Sequence, residues 1–276
     1  MKLLALFAIP LSLAFENAST HQKSDVPAAG NVPVSNSQDS SSAPMTQRQI
    51  AQMRADLLMA RKDYSEAVIA YQRMLEKEPK NAELWNKVGI AYQELGQDNL
   101  AEHFYKKALH ANPKFGAAVN NLGTIEYSRQ RFGKAIKYYK KAVAIGSNSL
   151  APVYTNLGYA YCSVKLYPQA MEAFGKALAL DPNIFEPKGT AGSLVQHRSV
   201  ADPGVLYFLV AKSYAKLGDA EHTARYLKLA RDDGYKNLLA AEKDPDFAPV
   251  IKDPQVQEVL RRRPPYEAQQ NKPVQN

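Results

Sequence analysis

Few side chains in this chain of 276 residues are placed for covalent or acid–base chemistry. The five histidines are His21, His103, His110, His197 and His222. His103 and His110 stand seven apart, on roughly one helix face, and no carboxylate–histidine pair has the spacing of a zinc motif. The histidines read as solvated surface side chains. Gly189-Thr190-Ala191-Gly192-Ser193 is glycine-rich, but a phosphate-cradling loop needs a strand before it and a lysine after it. It reads as a flexible connector. Cys162 is the one cysteine, so no intramolecular disulfide can form. Among Leu157, Tyr161 and Leu166 it reads as core packing. No catalytic residue, metal site or cofactor is expected, and the chain is not expected to be an enzyme.

Charge offers a second kind of chemistry. The formal net charge is +8. Residues 116–149 carry Arg129, Arg131, Lys134, Lys137, Lys140 and Lys141 against Glu126 alone. A second basic cluster starts at Arg261. The basic character is therefore two local patches and not a surface for polyanions at large. Lys134, Lys137 and Lys141 follow three- and four-residue steps, so they share one face of the helix expected over 131–145. A solvated face is the simple reading, and contact with an acidic partner is the alternative. Aromatic side chains are not interleaved as stacking on a nucleic acid requires, so no nucleic-acid partner is expected.

The elements that position these residues follow from three columns at a spacing of 34 or 35. Gly89, Gly123 and Gly158 form one; Ala67, Ala101, Ala135 and Ala170 the second; Tyr71, Tyr105, Tyr139 and Phe174 the third. Such a period means stacked supersecondary units. Each period holds two apolar stripes of helical spacing split by a short polar turn. In one unit Trp85, Val88, Ala91 and Tyr92 mark the first helix and Gly96-Gln97-Asp98 the turn. Ala101, Tyr105 and Ala108 mark the second helix, which Asn112-Pro113 ends. Small residues stand where two helices approach closely, and aromatic rings fill the space beside them.

These residues resemble the tetratricopeptide repeat. Its pattern is met by Trp85, Val88-Gly89, Tyr92, Ala101, Tyr105, Ala108 and Pro113. It is met again by Tyr154, Leu157-Gly158, Tyr161, Ala170, Phe174, Ala177 and Pro182. Between them lie Val119, Leu122-Gly123, Ala135, Tyr139 and Ala142, where Glu126 replaces the usual Tyr and Ser147 the closing Pro. The unit over 48–81 keeps Tyr64, Ala67, Tyr71, Leu75 and Pro79. The resemblance implies an all-α, right-handed solenoid of about five helix-turn-helix units: four over 48–182, and a fifth over 204–260 with a C-terminal helical cap. Asp244-Pro245 and Asp253-Pro254 each place an N-cap before an N1 proline, so two short cap helices are expected there. Residues 183–203 read as an irregular loop.

The resemblance also implies a function. First helices of such units line a concave groove, so the exposed groove positions would be Asn86, Ile90 and Gln93, then Asn120, Thr124 and Tyr127, then Thr155, Tyr159 and Cys162. Asn121 and Asn156 lie beside them. Asparagine can donate and accept toward a peptide backbone, and Tyr127 and Tyr159 would supply contact area. The alternative is that Asn121 and Asn156 only bridge neighbouring repeats. The groove lacks the lysines of repeats that clamp a terminal carboxylate. The expected partner is a protein or peptide, and the expected function a non-catalytic scaffold. Other readings are an assembly factor for an envelope machine such as a pilus or secretion complex, and a hydrolase or lipid-binding activity centred on 183–203.

The ends of the chain carry the remaining expectations. Residues 1–14 have Lys2 as their one charge, an apolar run from Leu3 to Leu13 and the small-residue end Ser12-Leu13-Ala14. They fit a secretory signal, which would place the mature protein in a periplasm; the alternative is an apolar N-terminus on a cytoplasmic protein. Residues 15–47 read as a disordered linker and 261–276 as a disordered basic tail.

Overall fold

The computed structural model describes residues 44–146, 149–186 and 202–262. The expected signal, most of the linker, the basic tail from 263 and residues 187–201 of the expected loop lie outside the described residues, as does Ser147.

Among the described residues every regular element is helical, and ten α-helices form five consecutive pairs. The pairs are α1 (Gln47–Ala60) with α2 (Tyr64–Lys77), α3 (Ala82–Glu94) with α4 (Asp98–Ala111), and α5 (Gly116–Ser128) with α6 (Phe132–Ile145). They continue with α7 (Ala151–Ser163) and α8 (Tyr167–Leu180), then α9 (Pro203–Lys216) and α10 (Ala220–Asp232). Each helix packs on its partner, and the second helix of each of the first four pairs packs on the first helix of the next. Thr46 caps α1 in a reciprocal box with Gln49, so helix begins one residue before the expected boundary.

The glycine and aromatic columns meet. A Cβ built on Gly89 would stand 2.5 Å from Tyr105, on Gly123 2.6 Å from Tyr139, and on Gly158 2.3 Å from Phe174. Only glycine lets the ring of the second helix lie this close to the first helix. Tyr105, Tyr139 and Phe174 are wholly buried, as are Ala67, Ala101, Ala135 and Ala170. Burying one large aromatic side chain stabilises by about 1.5–3 kcal/mol. In the fifth pair Ala211 takes the glycine position and Leu227 the ring position, both wholly buried. The added methyl and the slimmer partner offset each other.

One turn joins the helices within every pair. The Gly96 amide donates to the Gln93 carbonyl and the Gln97 amide to the Tyr92 carbonyl, each at 2.9 Å. The same two bonds recur after α1, α5, α7 and α9. This pairing needs a left-handed residue after the helix. Gly96 and Gly218 supply it at φ of 72° and 78°, but Lys62, Gln130 and Lys165 hold the same place at 66°, 57° and 60°.

The expected loop over 183–203 starts too early. Ile184 and Phe185 are buried, and Phe185 sits edge-on to Phe174 at 5.4 Å and to Tyr214 at 6.2 Å. Tyr214 Oη donates to the Pro182 carbonyl (3.1 Å) and Tyr226 Oη to that of Phe185 (2.8 Å). The fifth pair is thus stitched to the fourth across the interruption of the period. The two N-cap aspartates act as expected. Asp253 caps α11 (Pro254–Arg261), while Asp244 caps a 3₁₀ turn, Pro245–Phe247, where a helix was expected. Lys212 holds that turn to α9, with Nζ 2.5 Å from Asp244 and 3.3 Å from Asp246. A further 3₁₀ turn, Leu238–Glu242, carries no such signal.

Candidate functional site

Two surfaces draw on the residues singled out in the sequence. The first is the face made by the first helices of pairs two to four. Small residues at Gly116, Ala118, Gly123, Ala151, Gly158 and Ala160 leave α5 and α7 buried on most sides. The expected exposure of the groove positions is corrected accordingly. Asn86, Thr124, Tyr127, Thr155, Asn156 and Tyr159 are buried, as is Cys162; Ile90, Gln93, Asn120 and Asn121 are half-buried.

The buried members are held by local partners. Tyr127 Oη lies 2.9 Å from Ser163 Oγ, and its ring meets Phe132 edge-on at 5.1 Å. The Tyr159 ring meets Phe174 edge-on at 5.6 Å. Thr155 Oγ1 donates back to the Ala151 carbonyl at 3.0 Å. These tyrosines are core side chains, so they supply no contact area to a partner. Gln93 Oε1 accepts from Tyr105 Oη at 2.6 Å, which ties that residue to the core as well. Burial pushes the Cys162 thiol up to about 12, so the thiolate a nucleophile or metal ligand needs is suppressed.

The asparagines form a ladder across three pairs. Asn121 Nδ2 donates to Asn86 Oδ1 (3.0 Å), Asn120 Nδ2 to Asn121 Oδ1 (3.2 Å), and Asn156 Nδ2 to Asn120 Oδ1 (3.0 Å). Bridging between repeats, the alternative considered for Asn121 and Asn156, is what the structure shows. The ladder fixes the register of α3, α5 and α7 and leaves Asn120 and Asn121 within reach of solvent.

The second surface lies where α4, α5 and α6 meet. A cleft there is lined by Glu102, Glu126, Arg129, Arg131, Lys134, Lys137, Tyr138 and Lys141. Glu126, which departs from the repeat pattern, is buried and pairs with Arg131, Nε to Oε2 at 2.8 Å. Arg129 Nη1 lies 2.6 Å from Glu102 and 3.6 Å from Glu126. Lys106 and Arg129 hold the Glu102 carboxyl below the usual carboxylate range, against the opposing effect of burial. Lys134, Lys137 and Lys141 are exposed. Glu126, standing where Tyr is usual, is the one sign of this network in the sequence.

His222 is not a solvated surface side chain as expected. Its Nδ1 lies 2.7 Å from Asp219 and its Nε2 3.2 Å from Glu186, with the ring stacked on Tyr214 at 4.7 Å. His103 and His110 are exposed, and His21 and His197 lie outside the described residues. Among the described residues no group of three or more His, Cys, Asp or Glu is placed to hold a metal ion, and no helix is long and apolar enough to cross a membrane.

Three family models match the chain, each described as a tetratricopeptide or TPR repeat, over residues 55–96, 82–115 and 115–183. Residues 55–183 are tetratricopeptide repeats. The chain is 30% identical over 130 residues to the BBSome complex member BBS4 of Bos taurus, covering 47% of this chain and 25% of that protein. It is 27% identical over 129 residues to the type IV pilus assembly protein PilF of Pseudomonas aeruginosa, covering 45% and 50%. The chain thus spans a quarter to a half of the length of these two relatives. The crystal structure of MamA aligns with a TM-score of 0.43 at 24% identity, over 66% of this chain and 95% of that one. Repeats of the type matched over residues 55–183 are typically non-catalytic protein-interaction scaffolds.

Proposed function

We propose that this tetratricopeptide array binds an extended segment of a partner protein across the first helices of its second to fourth pairs. The half-buried pair Asn120 and Asn121 carries the reading. Each makes only two side-chain hydrogen bonds in the ladder, whereas an asparagine amide can make about four. The remaining donors and acceptors are held at a fixed register, ready for a peptide backbone. Half-buried Ile90, one turn along α3 from Asn86, offers an apolar contact. The apolar segment at residues 3–13 supports export, and so a periplasmic place for this binding.

A second reading, assembly factor of an envelope machine, is favoured by the similarity to PilF. A hydrolase or lipid-binding activity would centre on 183–203, most of which lies outside the described residues.

The test places a photocrosslinking amino acid at Ile90 or Asn120 in the full chain, with Leu100 and His110 as controls on second helices. The reading expects one discrete protein adduct from the first two positions and none from the controls. Adducts of equal yield from all four positions would overturn it.

A further inference from the structure

The lysines of α6 differ from their counterparts in the neighbouring pairs. Lys107, Lys141 and Lys176 stand 34 and 35 residues apart, at one place in the repeat. Lys107 Nζ lies over the Trp85 ring at 4.6 Å, and Lys176 Nζ over the Tyr154 ring at 5.7 Å. In the third pair the position of those rings is taken by Val119, which is wholly buried. Among the described residues no ring lies under Lys141 Nζ.

Acidic partners follow the same division. Glu172 pairs with Lys176 at 2.6 Å and Glu102 with Lys106 at 2.5 Å, each four residues apart on one helix. In α6 the residue corresponding to Glu172 is Lys137, and the helix contains no acid. The two glutamates that reach the cleft are already engaged: Glu126 by Arg131, and Glu102 by Arg129 and Lys106. Among the described residues no ion pair is formed by Lys134, Lys137, Lys140 or Lys141. In α6 the cationic row is left uncompensated, and it borders a cleft that also holds Tyr138.

We propose that this cleft is a second binding surface, distinct from the first-helix face, and that it takes an acidic segment of a partner protein. Lys134, Lys137 and Lys141 are spaced three and four residues apart, so their ammonium groups follow one line of about 10 Å along the helix. An acidic helix with carboxylates at the same spacing meets all three. An anionic membrane would want a flat face with large apolar side chains around the lysines. Here the row edges a cleft that the glutamate–arginine network also lines. A second copy of this chain is disfavoured by its own net charge of +8.

The experiment uses the full chain and a fluorescein-labelled helical peptide of 14 residues with Glu at positions 4, 7 and 11, read by fluorescence anisotropy at low and physiological salt. The comparison peptide has Gln at the same three positions. Binding of the Glu peptide should be lost with Gln. The triple variant Lys134→Ser/Lys137→Ser/Lys141→Ser should weaken it about tenfold or more, and raising the salt should weaken the intact chain most. Lys137→Glu alone, which gives Lys141 an acid four residues before it, should weaken it comparably. The control Lys77→Ser/Lys80→Ser/Lys114→Ser removes the same charge elsewhere and should change it less than about twofold. Equal loss in the control, or no binding of the Glu peptide by the intact chain, overturns the proposal. Vesicles of phosphatidylglycerol form the last arm. If the α6 variants lose vesicle binding and keep peptide binding, the surface is a membrane contact and the proposal fails.

Discussion

Gly158 and Phe174 are in such close register that a single added methyl on the glycine would lie 2.3 Å from the ring. Gly158→Ala should therefore destabilise the array by about 1–3 kcal/mol, the usual cost of overpacking. The fifth pair shows how the clash is relieved, since Ala211 there faces Leu227 sixteen residues later. Adding Phe174→Leu to Gly158→Ala should recover part of the loss. Chemical denaturation of both single variants and the double variant gives the coupling. Strict additivity would mean that glycine and ring do not share one space.

Gln130 occupies the left-handed turn position that Gly96 and Gly218 fill in other pairs, and its side chain is exposed. A left-handed conformation costs a non-glycine residue about 1–2 kcal/mol. Gln130→Gly should raise the thermal midpoint by a few degrees, because for a protein of this size about 1 kcal/mol corresponds to roughly 2–4 °C. Lys165→Gly should act in the same direction. A lowered midpoint in both would show that the turn does not store this strain.

The ladder makes Asn121 a structural residue as well as a candidate contact. Asn86 is buried and accepts from Asn121 Nδ2. Asn121→Ala leaves that carbonyl without its donor, which costs about 1–3 kcal/mol for a buried polar group. Asn121→Leu together with Asn86→Leu should cost less than Asn121→Ala alone, since both polar groups are then gone. Urea unfolding of the three proteins decides it.

Glu102 links α4 to the end of α5 through Arg129. Lys106 and then Arg129 depress its carboxyl in the folded state. A depressed carboxyl stabilises fully above its unfolded value of about 4.3, and that contribution is lost as the pH falls through the lower folded value. The stability difference between the intact chain and Glu102→Gln should therefore be largest near neutral pH and vanish in acid. A difference that grows on acidification would contradict this network.

The sequence and the structure agree most where packing is local to one repeat. The Gly–aromatic columns, the Ala column and the two N-cap aspartates all follow from residue type and spacing, and each is found in its expected role. Burial between repeats was harder to read. A period of 34 places Thr155 and Tyr159 on the first helix of their unit, but it cannot say how closely the neighbouring helices cover them. The small residues of α5 and α7 were a signal of that close approach. The ladder was half legible in Asn86, Asn121 and Asn156, which stand 35 apart. The exceptional third pair was legible only by comparing columns, with Val119 against Trp85 and Tyr154, and Lys137 against Glu172. Left-handed Lys62, Gln130 and Lys165 carry no local signal, because their residue type does not favour the conformation they adopt.

The most direct test of the proposed scaffold is the affinity of the full chain for the partner segment recovered by crosslinking, measured by titration calorimetry on three proteins. Asn120→Asp keeps Oδ1 as acceptor for Asn156 and removes both amide hydrogens, the one given to Asn121 Oδ1 and the one offered to a peptide. It is expected to weaken binding about tenfold or more, the loss of a hydrogen bond that leaves a polar group unpaired, with the circular dichroism spectrum unchanged. The triple serine variant of Lys134, Lys137 and Lys141 is expected to bind that segment as the intact chain does. Unchanged affinity in Asn120→Asp, with affinity lost in the lysine variant, would contradict the account and move the partner to the second-helix face.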